Sequence, residues 1–248
     1  MTDRTASTGP ASSGPASTGP VVAVVRIPTP RLAPRRLVRR KMRATIDQYA
    51  AIAGLAFKAY TFEQESGDYG GVYSWTDREA AEAWFDQVWF ERVRRERGSE
   101  PSVRFFDAPR SIDNTPGGTK AAEGGHVVTL VEIPLPEGVT EELLLAGFEA
   151  AEPSYREAPG LLRKHFIHTA PGRTAPRAAG TVPGSPRGAT FGGVYLWADE
   201  ASARRWFDAA WHERVRSRYG ADGRIQWFDA PILLPTRVAA ERPLAQSA

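Results

Sequence analysis

Cysteine is absent from the 248 residues, and methionine and lysine are scarce, with two and four copies. The missing thiols exclude disulfides, thiolate metal sites, iron–sulfur clusters and cysteine nucleophiles. No apolar run approaches the ~18 residues of a membrane span. No G-x-S-x-G, phosphate-binding loop, dinucleotide fingerprint or H-E-x-x-H occurs, so the common catalytic signatures are missing too. Charge of one sign is also lacking: the net value of +3 gives no argument for a nucleic-acid partner. What remains, 42% hydrophobic and 25% charged, is ordinary for a globular protein with a real core.

The first 20 residues hold 17 Ala, Gly, Pro, Ser or Thr in repeating STGP-like units. They carry no apolar stretch of the kind a signal peptide needs, and such composition cannot offset its ordering entropy. A disordered tail over 1–20 and a cytoplasmic location are the expectations.

The dominant feature is self-similarity. Residues 21–60 align with 127–166 at an offset of 106, with 12 identities in 40, and residues 70–109 align with 192–231 at an offset of 122, with 20 in 40. The offsets differ by 16 residues, which places an insertion within 169–190, a Pro- and Gly-rich stretch that reads as a surface loop. The chain thus divides into a first unit over 21–111, a linker over 112–125, a second unit over 126–236 and a tail over 237–248.

Each unit reads βαββαβ. Val21–Pro28 and Val127–Pro134 are β-branched and Pro-terminated strands. Val38, Met42, Thr45, Tyr49 and Ile52 recur at helical spacing, as do Leu144, Phe148, Ala151, Tyr155 and Ala158. Thr140 is an N-cap candidate, and Pro153 is expected to kink or break its helix. A hairpin follows in each unit, then a helix capped by Asp77 or Asp199 and ended by Gly98 or Gly220. Final strands are expected to stop at Pro109 and Pro231. The fold class is α+β: two ferredoxin-like units packed sheet to sheet, face to face, as an intramolecular pseudo-dimeric α/β barrel with the helices outside.

The runs EAPGLLRKHFI, GGVYLWADEASARRWFDAAW and WFDAPILL resemble the YdhR-type monooxygenase family of the dimeric α/β-barrel superfamily, whose usual members are single-unit homodimers. The resemblance covers nearly all of 126–236 and, more loosely, 21–111. The first half departs from it: Ala53, Phe57, Ala59 and Phe90 stand where the second has Pro159, Arg163, His165 and His212. The resemblance implies oxygenation of a planar aromatic or polyketide-like molecule by dioxygen, with no cofactor. It also admits a haem protein of chlorite dismutase-like type with His165 or His212 as axial ligand, and members with no reaction at all.

The residues themselves offer a short list of candidates. Lys58 and Lys164 hold equivalent strand positions with an aromatic residue two places on, so each shares a sheet face with Tyr60 or Phe166. A buried lysine there would stabilise an enolate or phenolate; the plainer alternatives are a lysine reaching solvent or pairing with Glu132. All four histidines, His126, His165, His168 and His212, lie in the second half, and His165 is the candidate general base, an exposed strand-edge imidazole being the alternative. Tyr195, Trp197, Phe166 and Trp206 are candidates for lining an aromatic pocket, or for simple core packing. His165 and His168, three apart on a strand, make a poor metal pair, so no metal is expected. Finally, Arg31, Arg35, Arg36, Arg39, Arg40, Lys41 and Arg43 make a basic first helix that could dock an acidic protein partner over Arg35–Arg43, or be a solvated face.

Overall fold

A computed structural model describes residues 19–30, 33–115, 122–169 and 188–235. Most of the N-terminal tail, most of the insertion and all of the C-terminal tail lie outside these residues. The elements in chain order are β1 (Val21–Ile27), α1 (Arg35–Arg43), α2 (Ile46–Ala50), β2 (Leu55–Glu63), β3 (Tyr69–Trp75), α3 (Arg78–Trp84), α4 (Gln87–Arg97) and β4 (Ser102–Asp113). They continue as β5 (Ala122–Pro134), α5 (Glu141–Arg156), β6 (Leu161–Thr169), β7 (Thr190–Trp197), α6 (Glu200–Trp206), α7 (Ala209–Tyr219) and β8 (Arg224–Pro235).

The eight strands form one closed antiparallel barrel in the order β1-β3-β2-β8-β5-β7-β6-β4. The inner faces of the two sheets meet, as a barrel requires, and the sheets are not separate layers. β2 pairs with β8, Lys58 opposite Leu234, and β4 pairs with β6, Ser111 opposite His165, so the sheets join edge to edge through hydrogen bonds. Closure removes every open sheet edge. It also explains why β1 reads VVAVVRI without polar alternation: one face meets the barrel interior and the other meets helices, and all seven residues are buried.

The interior is filled. Val22, Phe57, Phe106, Val128, Val194 and Phe228, from six different strands, belong to one buried cluster. A second kind of core lies outside the barrel, where helices cover the sheet: Tyr195, Trp197 and Phe207 belong to it in one half, and Tyr73, Trp75 and Phe85 in the other.

Both final strands run past the prolines expected to stop them. Pro109 falls in a register shift between Asp107 and Arg110, and Pro231 falls where Tyr60 faces Ile232 but Phe62 faces Asp229. A bulge is where a strand accommodates a residue without an N–H. At its bulge β4 leaves β1, its partner up to Asp107, and pairs onward with β6. Residues 112, 113 and 122–125, assigned to the linker from the sequence, belong to β4 and β5.

The helices differ from expectation in three places. The first is split after Arg43, where the Thr45 hydroxyl donates to the Met42 carbonyl at 2.8 Å and meets the Tyr60 hydroxyl at 2.8 Å. Its counterpart α5 runs unbroken through Pro153, which costs one ladder bond in the final turn. Each tryptophan helix is two helices, because Asp86 and Asp208 are caps in their own right, accepting from Trp89 N at 2.8 Å and Trp211 N at 2.7 Å.

One end of the barrel interior holds ions rather than apolar groups. Glu132, 1% exposed, accepts from Arg104 at 2.7 Å and from Gln226 at 3.2 Å, and Arg26 pairs with Glu63 at 3.0 Å. Removing one partner of such a pair strands the other charge, at a cost of about 3–5 kcal/mol, whereas an apolar pair is tolerated. Urea denaturation is expected to show a loss of about that size for Glu132→Ala and a much smaller loss for the double variant Glu132→Leu/Arg104→Met. Equal losses would show that the pair is not what holds this end.

Candidate functional site

Two cavities lie between the helix layer and the outer face of the sheet, one in each half, and each is built on a lysine. β-strand alternation sends Lys164, on β6, to this face together with Phe166, while cross-strand Tyr195 on β7 arrives beside it. The third wall is Tyr155, from α5. Lys164 Nζ stands 3.0 Å from the Tyr155 ring centroid, 3.8 Å from that of Phe166 and 4.6 Å from that of Tyr195. Gly193 makes this packing feasible, since a Cβ there would sit 2.7 Å from the Tyr195 ring and 3.1 Å from Lys164 Cε.

The lysine is 2% exposed and, among the described residues, has no carboxylate partner. Glu132, the alternative partner considered from the sequence, faces the barrel interior and is held by Arg104. Burial pulls the Lys164 amine well below its ordinary range. The ring faces favour the ammonium, but ~2 kcal/mol or somewhat more from each does not replace a lost hydration shell. Burial pushes the Tyr155 and Tyr195 phenols up, so both remain protonated; Tyr195 donates to Tyr155 across 3.5 Å.

The cavity over Lys164 has a volume of about 1150 Å³ and lies between α5 and α7. Phe166, Tyr195 and Trp206 line it. Trp206 is 5.3 Å from Tyr155, ring to ring, and its indole N–H has no acceptor. Trp197 does not line the cavity: it is fully buried beneath Tyr195 and donates to Thr129 Oγ1 at 3.1 Å, which makes it a core residue. Tyr155, Phe148 and Tyr219 are wall residues that the site reading from sequence did not single out. Tyr155 left a trace, being identical to Tyr49 across the repeat.

His165 is a correction. It neighbours Lys164 in sequence and so points to the opposite face, cross-strand from Val194 and two residues from Ile167, both in the barrel interior. It is neither a solvent-exposed edge residue nor within the lysine cavity. Burial, assisted by Arg163, lowers its pKa to about 3, and its Nε2 has no hydrogen-bond partner among the described residues. His212 does not line the cavity either, so the wall offers no imidazole to a haem iron.

The basic helix is used within the chain. Arg39 pairs with Glu123 at 3.0 Å, Arg43 joins the same carboxylate, and Arg35 pairs with Asp229, so α1 is tied to the second half. Arg36, Arg40 and Lys41 stay exposed, and Arg31 lies outside the described residues.

No protein-family model matches the sequence, and no curated protein does. Solved structures match it well. A candidate monooxygenase from Fusobacterium nucleatum subsp. nucleatum is 10% identical over 88% of this chain and 95% of its own, with a TM-score of 0.57. One from Lactobacillus acidophilus is likewise 10% identical over 88% and 96%, TM-score 0.57. An anthrone oxidase-like protein is 12% identical over 93% and 97%, TM-score 0.54. The likeness establishes the fold, and it runs through both halves of this chain. Among the described residues, no helix is long and apolar enough to cross a membrane.

A pH dependence follows from His165. The folded imidazole refuses its proton until about pH 3, while the unfolded one accepts it near 6.5. Stability is therefore lost as pH falls through that window, by up to ~1.4 kcal/mol per unit. His165→Leu is expected to shed this loss, so its stability relative to the native chain rises steadily from pH 6.5 towards 4 in urea titrations. Parallel curves would place the histidine in water.

Proposed function

We propose that this chain binds a planar aromatic or polyketide-like small molecule in the cavity over Lys164 and oxygenates it with dioxygen, without a metal or flavin. The observation that carries this reading is the amine itself: buried, without a counter-ion, and walled by Tyr155, Phe166 and Tyr195 in a cavity of about 1150 Å³. An amine with lowered proton affinity is a base at neutral pH. It takes the proton from a phenol or an activated ring methylene, and the ammonium so formed pairs with the anion it has made. Dioxygen then forms a bond to the electron-rich carbon, and the ammonium returns its proton to the peroxide. For a methylene substrate, loss of water leaves a ring carbonyl, so one oxygen atom is retained and the other departs as water. This assigns to Lys164 both the role of anion stabiliser and the deprotonation that His165, on the other face, cannot perform.

The likeness to an anthrone oxidase-like fold supports a fused-ring substrate, and the wall of flat aromatic side chains suits one. We further read the chain as a tandem duplication of a YdhR-type unit, its halves standing for the two subunits of single-unit dimers. A ligand-binding protein without catalysis is the second reading, since the same cavity would serve it.

Dioxygen consumption with an anthrone as substrate separates the two. The native chain is expected to consume one dioxygen per quinone formed, and Lys164→Met to lose ~10²–10⁴-fold in kcat while keeping its fold by circular dichroism. Lys58→Met is expected to lose less than tenfold. Saturable anthrone binding without oxygen uptake would favour the binding protein, and undiminished turnover in Lys164→Met would remove lysine from the mechanism.

A further inference from the structure

The first half has no histidine, yet it repeats the lysine cage almost atom for atom. Lys58 Nζ is 2.9 Å from the Tyr49 centroid, 3.9 Å from that of Tyr60 and 4.4 Å from that of Tyr73. Lys58 is 1% exposed and, among the described residues, makes no ion pair. A cavity of about 320 Å³ opens over it, between α1, α2 and α4 and the sheet. Burying an unpaired amine costs several kcal/mol, and a purely structural partner would have been free to replace it with an apolar residue.

The two cavities differ in size and charge, for reasons legible residue by residue. Where the second half has Gly147, Ala151 and Ser154 in its wall, the first has Lys41, Thr45 and Gln48. These larger polar side chains fill the space that a fused ring system would occupy. The rest of the smaller rim carries three cations, Lys41, Arg92 and Arg97, against one carboxylate, Glu96. Among the described residues Lys41 and Arg92 line it without an ion pair, and Arg97 pairs with its neighbour Glu96, at 3.9 Å. A space of this volume is at the lower end for ligand sites and suits a single ring. The excess of cations at its mouth favours an anion by focusing positive charge there.

We propose that the cavity over Lys58 is a second, separate binding site, specific for a one-ring hydroxyaryl carboxylate. The ring packs on the Tyr49, Tyr60 and Tyr73 cage, and the carboxylate lies towards Lys41 and Arg92. The site does not depend on the reaction proposed for the other half, because its residues are all its own.

The full chain tests this with 4-hydroxybenzoate as the anionic probe and 4-hydroxybenzyl alcohol as its neutral counterpart, followed by calorimetry. One saturable site is expected, at least tenfold tighter for the anion and weaker at high salt. Binding is expected to fall more than tenfold in Lys58→Met and to be unchanged in Lys164→Met. Should Lys58→Met fail to fold, the rim variant Lys41→Ala/Arg92→Ala carries the test, with the anion's advantage over the alcohol lost. Absence of saturation, equal affinity for the two probes, or loss in Lys164→Met with none in Lys58→Met would each overturn the proposal.

Discussion

Each half of this protein makes a four-stranded sheet whose two outer strands carry unpaired backbone donors and acceptors, and those groups must find partners. They find them in the other half, β2 on β8 and β4 on β6, and the molecule closes into a barrel. Most of the architecture follows from that requirement. The eight inward faces meet and fill the interior with side chains, which leaves no room there for a ligand. The helices are driven to the outside, and two concave spaces with apolar walls lie between helix and sheet. The bulges at Pro109 and Pro231 are part of the same solution, letting long strands serve both halves.

Charge then makes the two halves complementary. Arg26 and Glu132 occupy equivalent positions in the repeat, as do Arg104 and Gln226. In the barrel Arg104 pairs with Glu132, and Arg26 donates to Gln226 while pairing with Glu63. Two copies of the first half would set arginine against arginine at these positions. Outside the barrel, Glu123 and Asp229 hold α1 through Arg39, Arg43 and Arg35. A helix that reads from sequence as a docking face for an acidic partner thus has much of its acid supplied by its own chain.

The repeat made the fold legible, because its identities concentrate in residues that build it: the Gly-Gly-Val-Tyr strand, the Trp-Phe-Asp corner and the Phe-Asp-Ala-Pro end. The corner was misread as mid-helix, although Asp86 and Asp208 carry the same capping signal as Asp77 and Asp199. In the site, Lys164, Phe166, Tyr195 and Trp206 were visible from strand alternation and aromatic content. The pairing of Lys164 with His165 was not sound, for adjacent strand residues face opposite ways. Tyr155 was read only as an apolar helix position, because which helix residue reaches a given strand is decided by packing, not by spacing. The second cage has no histidine beside it to draw attention, yet the lysine and two of its three rings are the same in both halves.

The central claim is that two lysines are held, unpaired and desolvated, against aromatic rings. With only four lysines in the chain, selective isotope labelling of their side chains gives a spectrum simple enough to read each one through a pH titration. Two of the four ε-methylene signals are expected to be strongly ring-current shifted and to titrate well below the ordinary lysine value of 10.5, and those two should vanish in Lys58→Met and Lys164→Met respectively. Four unshifted signals titrating together near 10.5 would contradict the account.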